Sequence, residues 1–107
     1  GIEVLDGAEV NISNTEVSAT GFRLNPTTGD FPTNNAPDPG RGIEFGDASD
    51  GNVFNTTVTG SFDAGIADES SERVCVAQVS LLDNNPNLSG FSQRMKKKIR
   101  QGQVSCA

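Results

Sequence analysis

The chain has 107 residues, enough for one hydrophobic core and too few for two. Apolar residues make up 34% of it, Trp, Tyr and His are absent, and no apolar run approaches the roughly 20 residues of a membrane-crossing helix, so imidazole chemistry and a helical span are both excluded. The net charge of −6 is unevenly placed. All fourteen acids lie between Glu3 and Asp83, where only Arg23, Arg41 and Arg73 oppose them and leave −11, while the stretch from Ser89 onward holds no acid and carries +5. Such an acidic body argues against nucleic acid as a partner, because phosphate binding needs a basic face.

In chain order, the first element is a repeat unit. Residues 1–19 read GIEVLDGAEVNISNTEVSA and residues 42–60 read GIEFGDASDGNVFNTTVTG. A shift of 41 aligns them without a gap, with identities at Gly1/Gly42, Ile2/Ile43, Glu3/Glu44, Asp6/Asp47, Asn11/Asn52, Asn14/Asn55, Thr15/Thr56 and Val17/Val58. Apolar residues fall in three short alternating clusters, at Ile2 and Val4, at Val10 and Ile12, and at Val17. Alternation of period two marks half-buried strands, whereas a helical repeat would need spacings of three and four. Gly1 opens directly on this repeat with no signal peptide, which leads us to expect a processed product or a piece of a longer chain.

Residues 24–41, LNPTTGDFPTNNAPDPGR, separate the first two copies and hold Pro26, Pro32, Pro37 and Pro39. Prolines at that density rule out a ladder strand and predict an exposed inserted loop. A third copy begins at Gly65 and Ile66, where a further shift of 23 matches Val76 to Val53 and Leu81 to Val58. The underlying period is thus about 23. Stacked copies would place Ile2, Ile43 and Ile66 in one interior column, Ile12, Val53 and Val76 in a second, and Val17, Val58 and Leu81 in a third. Asn14 and Asn55 would form a turn ladder, since Asn tolerates left-handed backbone and its amide can bond to the equivalent Asn in the next copy. Gln78 takes the third place.

These residues, in the pattern GIxV, turn, VxIxNTxV, resemble the right-handed parallel β-helix repeat family, the pectate-lyase-like superfamily. The resemblance covers about residues 1–85. It implies an all-β fold, a right-handed parallel β-helix, which the repeat divides into about three coils, coil 1 over 1–23, the inserted loop 24–41, coil 2 over 42–64 and coil 3 over 65–88; a basic C-terminal cap or latch is expected to follow over 89–107. The family spans lyases, hydrolases, adhesins and structural proteins, so fold alone carries no chemistry. Pectate lyases of that superfamily resemble one another in an Arg-x-Pro-x-x-Arg segment with calcium-binding acids, and its polygalacturonases in Asn-Thr-Asp, Gly-His-Gly and Arg-Ile-Lys segments. None of these occurs in this chain. Asn14-Thr15-Glu16 is similar to the first hydrolase segment, yet it returns as Asn55-Thr56-Thr57 with the acid lost. No catalytic residue is assigned and a non-catalytic chain is expected.

The acids themselves align in columns, Glu3 with Glu44, Asp6 with Asp47, and Glu9 with Asp50. Stacked carboxylates about 5 Å apart make Asp6, Asp47 and Asp50 the Ca²⁺ candidates. The plainer expectation is a solvated acidic face that binds no cofactor. Asn-x-Ser/Thr sequons start at Asn11, Asn55 and Asn87. Asn11 should point outward from its strand and Asn87 lies in a turn, so both are glycan acceptors by this reading, while Asn55 in the turn ladder should be poorly accessible.

At the end of the chain the period changes. In SGFSQRMKKKIRQ, Phe91, Met95 and Ile99 recur every four residues, Ser89 or Ser92 can cap, and Gly102 sits where a helix would stop, predicting a short amphipathic helix with its cations near the C-terminus. Cys75 and Cys106 can form a disulfide that fastens this tail over the third copy. With the sequons, that pair favours an oxidising setting, extracellular or at the cell surface. The expected role is a structural or adhesive module, self-associating head to tail into a filament or joined to a larger β-helix parent. The alternative is a carbohydrate-binding or carbohydrate-active fragment that uses the 24–41 loop and the acidic columns. Partners would be a second copy, a parent chain or glycans.

Overall fold

A computed structural model describes residues 1–18, 40–70 and 72–106. Most of the 24–41 loop, with its four prolines and Phe31, lies outside the described residues; Gly40 and Arg41 lie within them.

The strands are short because turn residues interrupt the apolar alternation every few positions. In the first repeat they are β1 (Ile2–Val4), β2 (Glu9–Ser13) and β3 (Glu16–Ser18). The second repeat forms β4 (Ile43–Phe45) and β5 (Asp50–Thr59), and the third forms β6 (Ile66–Asp68) and β7 (Val74–Leu82). Then come β8 (Leu88–Ser89), helix α1 (Gln93–Arg100) and β9 (Ser105–Cys106).

Register follows the two sequence offsets. Strand β1 pairs in parallel with β4, with Ile2 opposite Ile43, and β4 with β6, with Ile43 opposite Ile66. Likewise Ile12 lies opposite Val53 and Val53 opposite Val76, while Val17 lies opposite Val58 and Val58 opposite Leu81. The connecting turn is also reproduced: Ala8 N donates to Leu5 O at 3.0 Å in the first copy, and Ser49 N to Gly46 O at 3.2 Å in the second. Gly7 and Ala48, equivalent under the 41-residue shift, both adopt left-handed backbone, with φ of 78° and 56°.

The expected three-coil parallel β-helix is corrected by this topology. The strands gather into two open sheets, a parallel one in the order β1-β4-β6-β8 and a mixed one in the order β2-β5-β7-β9 with β3 also on β5; among the described residues neither closes on itself and no solenoid sheet is present. The corner residues explain part of the difference. Asn14, Asn55 and Gln78 have φ of 52°, 47° and 53°, yet the ladder runs on through the corner, with Asn14 N donating to Phe54 O and Thr57 N to Thr15 O. What reads in the sequence as two separate faces is therefore one long, bent strand in β5 and β7. At the other end, β8 adds a fourth strand to the first sheet, and β9 turns the second sheet mixed by pairing antiparallel with β7.

Both sheets contribute to one core. Val4, Ile43, Phe45, Ile66 and Leu88 from the first meet Ile12, Val17, Val53, Val58, Val74 and Val76 from the second. Phe91 and Ile99 from the tail join them. Helix α1 begins at an N-cap, Ser92, whose Oγ accepts from Met95 N at 3.2 Å; Ser89, the other capping candidate, lies in β8. Lys97, Lys98 and Arg100 occupy the last turn, where they offset the negative end of the helix dipole.

Candidate functional site

The polar residues divide into three groups: an Asn ladder, an arginine clasp and a latched strand edge. In the ladder, Asn52 Nδ2 donates to Asn11 Oδ1 at 2.7 Å and Asn55 Nδ2 to Asn14 Oδ1 at 2.6 Å. The 41-residue offset thus places like side chains one strand apart, where an amide can both give and accept. Asn55 is exposed, which corrects the expectation that its place in the turn would hide it, because the left-handed corner turns the side chain outward. Asn11 and Asn87 are exposed as well. Asn87 Oδ1 accepts from Asn84 Nδ2 at 3.0 Å, and Asn84 also donates to Val58 O at 2.9 Å, which pins this turn to the second sheet.

Arg41 forms the clasp. Its Nη1 reaches Glu44 and Glu69, each at 2.6 Å, and its Nε reaches Asp63 at 3.3 Å. Burial opposes its charge, but the hydrogen bond to Glu69, the attraction of Glu44 and the hydrogen bond to Asp63 outweigh it and raise the guanidinium pKa. Glu44 is therefore no member of a freely solvated acidic face: its side chain is only 13% exposed. Sequence reasoning placed Arg41 at the end of the inserted loop and missed this role. The available signal was a single cation immediately before the second GIE motif, and the partners come from three different segments.

The Ca²⁺ candidates do not converge. Asp6 and Asp47 lie in the two equivalent turns and Asp50 opens β5, opposite Glu9. The carboxylate of Asp6 lies close against Gly46. No three of His, Cys, Asp and Glu form a metal-holding group among the described residues. Glu9 and Asp50 line a shallow depression of about 370 Å³ together with Arg73 at its rim.

Asp68 is the most deeply buried acid among the described residues, at 7% exposure. Burial pushes its pKa up, partly offset by the hydrogen bond that Ser70 N donates to Oδ1 at 2.9 Å. The folded protein therefore holds this proton to higher pH than the unfolded chain does. Stability falls as pH rises between the unfolded and folded pKa values, and the penalty is complete above the latter. Asp68→Asn keeps an acceptor for Ser70 and removes the charge. Chemical denaturation should find the variant more stable than the parent near neutral pH and equal to it once carboxylates are protonated; an advantage that persists at acid pH would contradict this.

The third group is the latch. Cys75 and Cys106 form a disulfide, and next to it Val76 pairs with Ser105 across the antiparallel β7–β9 contact. Helix α1 lies against both strands. Beside it, Gln93, Lys96 and Arg100 face Val79, Ser80, Leu81 and Leu88 across a groove of about 530 Å³. The helix pattern foretold cations near the C-terminus, but a groove formed between that helix and a strand edge has no signature in either segment alone.

No helix among the described residues is long and apolar enough to cross a membrane. Compared with known proteins, the chain matches no family model, no curated protein and no solved structure.

Proposed function

We propose that this chain is a non-catalytic structural or adhesive module of the extracellular or cell-surface space, joining neighbouring chains through the strand edges at one end of its sheets. A single observation carries the reading: the two ends differ. At one end β9, α1, Phe91 and Ile99 cover the last strands and the core. At the other, the outer edges of β1, β2 and β3 have no strand partner among the described residues, and Ile2, Ala8 and Val10 are only partly buried. A row of unpaired backbone groups beside half-buried apolar side chains is a template for another strand.

Other features support the same reading. The disulfide suits an oxidising compartment. Arg41 ties separate segments together through Glu44, Asp63 and Glu69, which is a scaffolding use. Two copies meeting through their open edges would bring Glu9 and Glu16 of each close to those of the other, so salt should strengthen rather than weaken the contact. Sedimentation velocity across a concentration series at low and high salt tests this. A dimer that grows with both is expected. A monomer under every condition would remove self-association from the proposal, and long polymers would mean that the covered end opens.

A further inference from the structure

At the covered end, the latch leaves part of the last strand uncovered. Strand β7 pairs with β5 along one edge from Val74 to Leu82, the corner residue Gln78 excepted, but β9 meets the other edge only at Cys75 and Val76. From Ala77 to Leu82 that edge has no strand partner among the described residues. The groove of about 530 Å³ opens along it, floored by Val79, Leu81 and Leu88. Its far wall is the stripe of α1 bearing Gln93, Lys96 and Arg100, residues three and four apart and so on one helix face.

Two facts define the chemistry of an occupant. First, no cation of α1 has a carboxylate partner among the described residues. Second, the existing ladder shows what stacks at this place: Glu16-Val17-Ser18 lies on Thr57-Val58-Thr59, which lies on Ser80-Leu81-Leu82. Each layer centres on an apolar residue, flanked by polar ones in the first two layers and by Ser80 and the exposed Leu82 in the third. A further layer would set an apolar side chain beside Leu81 and flanking side chains within reach of Lys96 and Arg100, where carboxylates would be favoured.

We propose that this groove binds an extended acidic peptide segment of a partner polypeptide, added as a further strand on Ser80–Leu82 with its carboxylates against Lys96 and Arg100. Backbone hydrogen bonding to an exposed edge supplies affinity and the cationic wall selects sequence. This site is separate from the open edge of β1 to β3, and neither reading depends on the other.

The test is a titration of the full oxidised chain into a fluorescein-labelled, acetylated hexapeptide of alternating Glu and Val, followed by anisotropy. Hydrogen exchange of the amides at 79–82 is read in parallel. Saturable binding with slowed exchange there is expected. K96E/R100E should weaken it by about tenfold or more, equivalent to roughly 1.4 kcal/mol, whereas R94E/K97E, which alters cations outside the groove, should leave it nearly unchanged. The milder K96Q/R100Q provides the same comparison should charge reversal disturb the helix. The proposal fails if the peptide does not bind, or if both double variants weaken it equally. It also fails if a peptide with proline at alternate positions binds as well, because edge pairing is then not involved. Phosphatidylglycerol vesicles bound in place of the peptide, with loss in K96E/R100E, would assign the cations to a lipid surface and overturn it.

Discussion

Replacing Cys75 and Cys106 together by alanine should lower the thermal midpoint by about 15 °C. The two cysteines are 31 residues apart in sequence, and a cross-link over a loop of that size stabilises by about 3 to 4 kcal/mol, chiefly by restricting the unfolded chain. For a domain of this length, each kcal/mol moves the midpoint by roughly 4 to 8 °C. The native-state contribution of the latch points the same way, since β9 holds on to β7 through only two residue pairs. Without the disulfide that short pairing must form unaided. Phe91 and Ile99 are nonetheless buried in the core, at 6% and 3% exposure, so α1 should stay docked while β9 frays. Melting curves of parent and double variant, with hydrogen exchange at the 74–76 amides, check both statements. Equal midpoints would show that the latch adds no constraint, and loss of helix signal before the main transition would show that α1 depends on it.

The second large effect is expected at a glycine that the repeat would tempt an engineer to replace. Gly51 aligns with Val10 in the first copy and lies opposite both Val10 and Val74 in the ladder. A more regular column would carry Val there. Yet Gly51 has φ of 147°, and a Cβ on it would lie 1.8 Å from Val10 O. The obstacle is backbone of the neighbouring strand, which cannot swing aside as a side chain can. Strain of about 1 to 3 kcal/mol from the backbone conformation adds to a similar overpacking cost, so Gly51→Ala should destabilise by about 3 kcal/mol or more. Gly7→Ala is the matched control. Its φ of 78° is also left-handed, but an added Cβ meets nothing within 4 Å, and Ala48 already occupies the equivalent place in the second copy. It should cost about 1 kcal/mol. Denaturant unfolding of the two variants gives the comparison, and similar losses would show that the clash at Gly51 is relieved by a small shift of β2.

Those two glycines also show where sequence reading stops. Spacing along the chain is enough to say which residues recur and therefore which stack: offsets of 41 and 23 are the register of Ile2 on Ile43 and Ile43 on Ile66. It also marked the short helix through Phe91, Met95 and Ile99, and it offered Cys75 and Cys106 as a pair. These features are local or periodic, carried by side-chain alternation and turn chemistry that a single segment contains. The assembled sheets alone reveal that the left-handed corners at Asn14 and Asn55 bend a ladder without dividing it, giving two open sheets in place of three coils. The same holds for the gathering of Glu44, Asp63 and Glu69 by Arg41, and for the groove left between α1 and β7. Each of these depends on the angle and distance at which distant segments meet, quantities set by packing around Phe45 and its neighbours that no spacing along the chain records.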